Sequence, residues 1–360
     1  MWRPHLPPSL MPRLAHLSIP LLLAACAGPD QGSPTGGEVP DAELLYWTNA
    51  LDAEELAELS RVAPRLRFVT DLSREEALER AADFDGADAH LLSEEFLAAA
   101  ENLRWVQAWS AGVDRYLDLR GLMERDDLTF TNMKGAHGPV IAEHVFAMLL
   151  HLRRDLGAYG AAQREARWDR RAGSGQEALA GSTLLVVGMG GIGSEVARRA
   201  DAFGMEVLAT VRTPREAPDF VDELGVASDL DRLLTRADVV VIALPLTDET
   251  RGLFDAERLA LMRPGSILVN IARGPIVDTQ ALIEALESGH LGGACLDVTE
   301  PEPLPAESPL WARDDVVITP HVAGVAGLTG ERRWAVFLEN ARRFAADEPL
   351  QNQVDRNAGY

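Results

Sequence analysis

Six residues, Gly188-Met189-Gly190-Gly191-Ile192-Gly193, constrain this chain more than any others because of what flanks them. They follow the apolar, β-branched run Leu184 to Val187 and lead into Ser194 to Phe203, a stretch with helical character. A glycine turn between a strand and a helix has a specific chemical use. Gly188 permits the tight turn, Gly190 lets backbone approach a pyrophosphate, and Gly193 lets the helix pack closely on its strand. The helix N-terminus then offers free N–H groups to the phosphates, so Gly188 through Gly193, with Gly191 and Ile192, form a dinucleotide-binding loop.

About 20 residues past such a loop, a carboxylate normally accepts the ribose hydroxyls of NAD. Here that place reads Thr210-Val211-Arg212-Thr213-Pro214-Arg215, and the acid is missing. Arginines can pair with a 2′-phosphate that a carboxylate would repel, so Arg212, Thr213 and Arg215 turn the expectation to NADP(H), with NAD(H) still possible. The plainer alternative is that both arginines are solvated loop residues.

The rest of the chain extends the same architecture. From Leu44 onward short apolar runs alternate with amphipathic ones: strands at Leu44 to Trp47, Arg67 to Val69, Ala87 to Leu92 and Trp105 to Ala108, with helices beginning near Asp52, Ser73 and Ser93. After a long helix starting near Pro139 come Thr183 to Val187, Glu206 to Thr210, Val239 to Leu244, Ile267 to Ile271, Ala294 to Val298 and Val316 to Thr319. Alternation of this kind implies parallel strands with crossover helices covering both faces. At about 150 residues per domain, 360 residues suit two such domains. The expectation is α/β: two doubly wound, Rossmann or flavodoxin-like parallel sheets with the active site in the cleft between them. Residues 41–138 plus 323–360 form one domain and 139–322 the dinucleotide-binding one, the last helix (Leu328 to Ala346) returning to the first.

The net charge of −22 argues against nucleic acid as a partner. Thirty-three of the basic residues are Arg and one is Lys134, a balance that suits either life in high salt or biased codon usage. Two distant cysteines, Cys26 and Cys295, support neither a disulfide framework nor a metal site, and Cys295 reads as a small core residue. Residues 1–40 stand apart. Arg3 and Arg13, an apolar run from Leu14 to Ala25, and Leu23-Ala24-Ala25-Cys26 resemble a bacterial lipoprotein leader with Cys26 lipidated, followed by a Gly- and Pro-rich tether. That reading implies a membrane-anchored, extracytoplasmic protein. A mis-assigned start or a disordered tail would leave it cytoplasmic.

Three further segments carry reactive side chains directly after expected strands: Asn270-Ile271-Ala272-Arg273-Gly274, Asp297-Val298-Thr299-Glu300-Pro301-Glu302-Pro303-Leu304 and Thr319-Pro320-His321-Val322-Ala323-Gly324. In a doubly wound sheet such loops converge on one crevice. With Ser110-Ala111-Gly112-Val113-Asp114 and Ile141-Ala142-Glu143-His144, these motifs make the chain resemble the D-isomer-specific 2-hydroxyacid dehydrogenases from about Leu103 to Gly324. The missing acid makes it similar to their NADPH-linked glyoxylate and hydroxypyruvate reductase branch.

The resemblance implies roles. Arg273 would grip the substrate carboxylate and 2-oxo oxygen, His321 would be the acid–base residue, and Glu302 would orient and charge its imidazole. Glu302 rather than Glu300 fits the family's Asp-Val-x-x-x-Glu-Pro spacing. Asp297 would touch the nicotinamide end of the cofactor, and backbone N–H groups of Ala111, Gly112 and Val113 would complete the carboxylate site. His137 and His144 read as structural, and Trp109 as either a wall of the substrate site or a core residue. The family also implies a homodimer, with Ile141 to Trp168 as its arm. Two rival functions remain: a non-catalytic nicotinamide-binding sensor or corepressor-like scaffold, and a dehydrogenase of another small anion such as formate or phosphite.

Overall fold

The structure, a computed structural model, describes residues 43–49, 51–170, 177–356 and 358–360; Cys26 and the rest of the leader lie outside the described residues. The first sheet comprises β1 (Leu44–Trp47), β2 (Leu66–Val69), β3 (Gly86–Asp88), β4 (Trp105–Gln107) and β5 (Thr129–Thr131), all parallel in the order β2-β1-β3-β4-β5. Asp52, Ser73 and Ser93 cap the helices that follow β1, β2 and β3, each side chain accepting from backbone N–H groups of the first turn.

The second sheet comprises β6 (Thr183–Val187), β7 (Glu206–Val211), β8 (Glu223–Val226), β9 (Val239–Ile242), β10 (Ile267–Asn270), β11 (Gly293–Leu296) and β12 (Val316–Ile318). Its order is β12-β11-β10-β9-β6-β7-β8, again wholly parallel. Strands β6, β9, β10 and β11 are buried along their entire length, which is why their sequences are almost uninterruptedly apolar. Strand order reverses between β1 and β3 in one sheet and between β6 and β9 in the other. Ligands of open α/β sheets bind at the carboxyl ends of strands beside such points.

The helix Gly327–Ala345 follows β12 in sequence but packs on the first sheet. Phe337, fully buried, meets Tyr46 at 5.6 Å, Trp105 at 5.7 Å and Trp109 at 4.8 Å between ring centroids. Burying a phenylalanine contributes about 1.5–3 kcal/mol, enough to hold the returning helix in register.

The structure departs from the sequence expectations in the first sheet and at two sheet edges, and it divides the helical arm. The run Ala87 to Leu92 is not one strand: β3 ends at Asp88, whose carboxylate collects the Tyr46, Thr48 and Trp109 side chains, and Ala89–Leu91 is a 3₁₀ turn. The stretch Ile141 to Trp168 contains two helices. The helix Gly138–Arg153 stops, Asp155 takes a left-handed φ of 49°, and a second helix runs Leu156–Arg164. Finally, β5 and β8 were not anticipated, being edge strands of three and four residues with no apolar run to announce them.

Candidate active site

The glycine loop is dictated by space. Gly188 has a φ of +98°, and a Cβ there would stand 2.8 Å from the carbonyl oxygen of Ala243. A Cβ on Gly193 would stand 2.3 Å from the carbonyl oxygen of Gly188 and 2.9 Å from Val186. Gly190 differs, because nothing lies within 4 Å of its Cβ position. That open space faces the start of the helix Gly191–Ala202, so a phosphate can meet free N–H groups there, and the residues present fit a dinucleotide. At the end of β7, Arg212 donates to the Tyr360 hydroxyl at 2.6 Å, and Arg215 donates to the Met189 carbonyl oxygen at 2.7 Å. Arg215 thus braces the glycine loop from outside, and Arg212 and Thr213 are exposed.

Ala111, Gly112 and Val113 face the glycine loop across a cavity of about 170 Å³ that also contains Arg273. Arg273 approaches Gly112 closely: a Cβ at that glycine would fall 2.0 Å from its Nη2. Asp114 accepts from its Nε at 3.0 Å and lies 2.8 Å from Nη2, while Nη1 donates to the Ala272 carbonyl oxygen at 2.7 Å. Asn270 pins the backbone beneath, donating to the Arg273 carbonyl oxygen at 2.9 Å and accepting from the Ala272 N–H at 3.0 Å. The guanidinium is therefore aimed before any substrate arrives.

His321 Nδ1 and Glu302 Oε1 are 2.8 Å apart, both side chains a little under half exposed. His321 holds a left-handed φ of 54°, a conformation that costs a non-glycine residue about 1–3 kcal/mol and so needs support. Asp297 supplies it. Its carbonyl oxygen accepts the His321 N–H at 2.8 Å. Its carboxylate accepts from Thr319 Oγ1 at 2.6 Å and from the N–H groups of Val322 and Ala323 at 2.9 and 3.0 Å. The Arg273 loop is locked to the Glu302 loop in turn, because a Cβ on Gly274 would fall 1.9 Å from the Thr299 carbonyl oxygen. His321 and Glu302 are not among the residues that line the cavity holding Arg273, and the three groups come from interlocked loops.

The family model described as D-isomer specific 2-hydroxyacid dehydrogenase, NAD binding domain, matches residues 146–323. The (S)-sulfolactate dehydrogenase of Chromohalobacter salexigens is 41% identical over 254 residues, covering 69% of this chain and 80% of that protein. The glyoxylate reductase of Korarchaeum cryptofilum is 36% identical over 304 residues, 80% of this chain and 90% of its own. The chain belongs to the D-isomer specific 2-hydroxyacid dehydrogenase family. Among solved structures, the NADPH-dependent glyoxylate/hydroxypyruvate reductase of Sinorhizobium meliloti, in complex with NADP and sulfate, superposes with a TM-score of 0.74 at 30% identity, over 88% of this chain and all of that one. Membership makes the chain an NAD(P)-dependent oxidoreductase of small hydroxy acids.

As a dehydrogenase of this family, the chain keeps some of its chemistry in residues whose partners are far away in sequence. Asp297, expected against the nicotinamide, is only 3% exposed and has both oxygens occupied by the His321 loop. The structure thus gives it a supporting position. Asp114 stands out in the sequence only as the end of the Ser110–Asp114 motif; its contact with Arg273 spans 159 residues, and a carboxylate just beyond the Ala111–Val113 loop is the one available hint. His144 Nε2 sits 2.9 Å from Thr319 Oγ1, behind the same loop. Burial, with Arg333 adding to it, holds His137 below the ordinary imidazole range. Trp109 donates to Asp88 at 2.8 Å and packs on Phe337, a partly buried core position. Cys295 is buried within β11, and burial pushes its thiol up to about 12, which leaves it unreactive.

Proposed function

We propose that this protein is an NADPH-preferring reductase that converts a small 2-oxo acid of the glyoxylate or hydroxypyruvate type to the D-2-hydroxy acid. The observation that carries the reading is Arg273, lying on Gly112 with its guanidinium turned into a cavity that the glycine loop shares. Arg273 and the N–H groups of Ala111, Gly112 and Val113 bind the substrate carboxylate, and the guanidinium also polarises the 2-oxo oxygen. His321 gives its proton to that oxygen, and Glu302 stabilises the imidazolium beforehand and orients it. When bound, the reduced nicotinamide supplies the hydride. Closure of the cleft would bring His321 up to the cavity and expel water. Arg212 and Arg215, in place of an acid after β7, favour the 2′-phosphate, in keeping with the NADP complex of the Sinorhizobium relative.

A second reading is favoured by Lys134, the chain's one lysine, which lines the same cavity and suits a substrate with a second anionic group, as a sulfolactate dehydrogenase would handle. Oxidation of NADPH with glyoxylate, hydroxypyruvate, 3-sulfopyruvate and oxaloacetate tests both readings; no turnover with any 2-oxo acid refutes the function. The leader, with Cys26 lipidated and the enzyme anchored outside the cytoplasm, belongs to the proposal on sequence grounds and is tested by membrane fractionation and intact mass. So does a homodimer built on the helical arm, where Trp168 is 90% exposed; light scattering tests it.

A further inference from the structure

Gln353 and Val354 belong to the first sheet, whereas Tyr360 ends against the second. Gln353 bridges Thr131 in antiparallel fashion and the Val354 N–H donates to the Phe130 carbonyl oxygen at 2.8 Å, so this strip extends the β5 edge. A turn closed on Asp355 then carries the chain across: the N–H groups of Ala358 and Gly359 donate to the Asp355 carbonyl oxygen at 3.1 and 2.9 Å. Beyond it, the half-buried Tyr360 places its hydroxyl 2.6 Å from Arg212 Nη1, and the Arg212 guanidinium stands 5.5 Å from the centre of its ring. Gly359 and Tyr360 line the same cavity as Gly190, Gly191 and Leu244. A residue from the substrate-side sheet therefore forms part of the crevice beside the β6–β9 switch point.

Arg212 is exposed, and among the described residues its hydrogen-bond partner is Tyr360. A free arginine side chain samples many rotamers, so fixing one of them before ligand arrives lowers the entropy lost on binding. The phenol oxygen occupies one of the five N–H donors of the guanidinium and leaves the others for an incoming anion.

We propose that Tyr360 is a positioning residue for cofactor discrimination, presetting the Arg212 guanidinium at the end of β7 so that its remaining donors meet the 2′-phosphate of NADP(H). This rests on the assignment of Arg212 to that phosphate. The test is calorimetric titration of the full chain with two fragments, 2′,5′-ADP and 5′-ADP, which differ only in the phosphate concerned and need no turnover. Tyr360→Ala weakens 2′,5′-ADP by roughly five- to seventyfold, the scale of one surface cation–π contact plus a hydrogen bond, and leaves 5′-ADP unchanged, which also reports an intact fold. Tyr360→Phe, which keeps the ring, falls between. In an Arg212→Ala background the Tyr360→Ala effect disappears.

Three results overturn the proposal. Equal weakening of both fragments makes Tyr360 a plain wall, tighter 2′,5′-ADP binding makes it a competitor for the phosphate position, and no change makes it idle. Arg212→Ala separates the two levels. If it leaves the ratio of the fragments unaltered, the phosphate assignment fails and the inference falls with it. If it collapses the ratio while Tyr360→Ala does not, only the inference fails.

Discussion

Asp297→Asn is the sharpest perturbation this structure offers, because it removes a charge and one acceptor while keeping shape. The amide oxygen can take the place of Oδ1 and still accept from Thr319 Oγ1 and the Val322 N–H. The amide nitrogen then faces the Ala323 N–H, 3.0 Å from the oxygen it replaces, and two donors oppose each other. Losing a hydrogen bond to a charged acceptor costs about 1.5–3 kcal/mol, and a buried donor left unpaired about 1–3 kcal/mol more, so destabilisation of about 3–5 kcal/mol is expected. In a chain of this size that corresponds to a fall in Tm of about 4–8 °C. Because the same loop holds His321 in its left-handed conformation, kcat should drop at least about tenfold, equivalent to about 1.4 kcal/mol, with cofactor affinity nearly intact. Calorimetric melting, kcat and a cofactor Kd measured together decide the matter. A Tm within 1 °C of the parent combined with a large rise in the cofactor Kd would refute the reasoning and return Asp297 to the nicotinamide.

Asp88→Asn should behave in the opposite way. Its oxygen can still accept from Tyr46 and Trp109, and the Thr48 hydroxyl can turn round and accept from the new amide. Burial raises the Asp88 carboxyl above its ordinary 3.8, so the folded state favours the protonated form. The group's contribution is most favourable below pH 3.8 and is lost as pH climbs through the folded value; the variant should match or exceed the parent's Tm at pH 8 and lose that advantage near pH 4, and a variant that melts lower at pH 8 contradicts this. Gly193→Ala forces the loop apart, costing about 1–3 kcal/mol and weakening NADPH binding; unchanged melting and affinity would mean the loop has room that the distances deny. His321→Asn should leave the cofactor Kd within about twofold while cutting kcat by about 10²–10⁴, the range for a lost general acid, and surviving turnover would point to another proton donor.

What could be read in advance follows from how local each signal is. Strands β6 and β9, Thr-Leu-Leu-Val-Val and Val-Val-Val-Ile, declare themselves because helices cover both faces, and the glycine loop because sterics leave no other residue possible at Gly188 and Gly193. Strand β8, Glu-Leu-Gly-Val, lies at an edge and owes its place to pairing with β7 rather than to its own pattern. Arg273, Glu302 and His321 stand out in the sequence by their side-chain chemistry. The framework behind them does not, because the Asp297 carboxylate is fixed by backbone N–H groups, which every residue but proline carries. The Asp114–Arg273 and Arg212–Tyr360 contacts, 159 and 148 residues long, exist only once both sheets have formed.

The return of the helix Gly327–Ala345 to the first sheet bears on how the enzyme is made. Tyr46, Trp105 and Trp109 leave the ribosome early, yet Phe337, which covers them, is synthesised roughly 230 to 290 residues later. At about 5–20 residues per second, the nascent chain carries an uncovered aromatic face for roughly 10–60 s. During that interval the dinucleotide-binding half can complete its own sheet, so translation itself sets the order of assembly, and a chaperone that shields aromatics has a defined window in which to act.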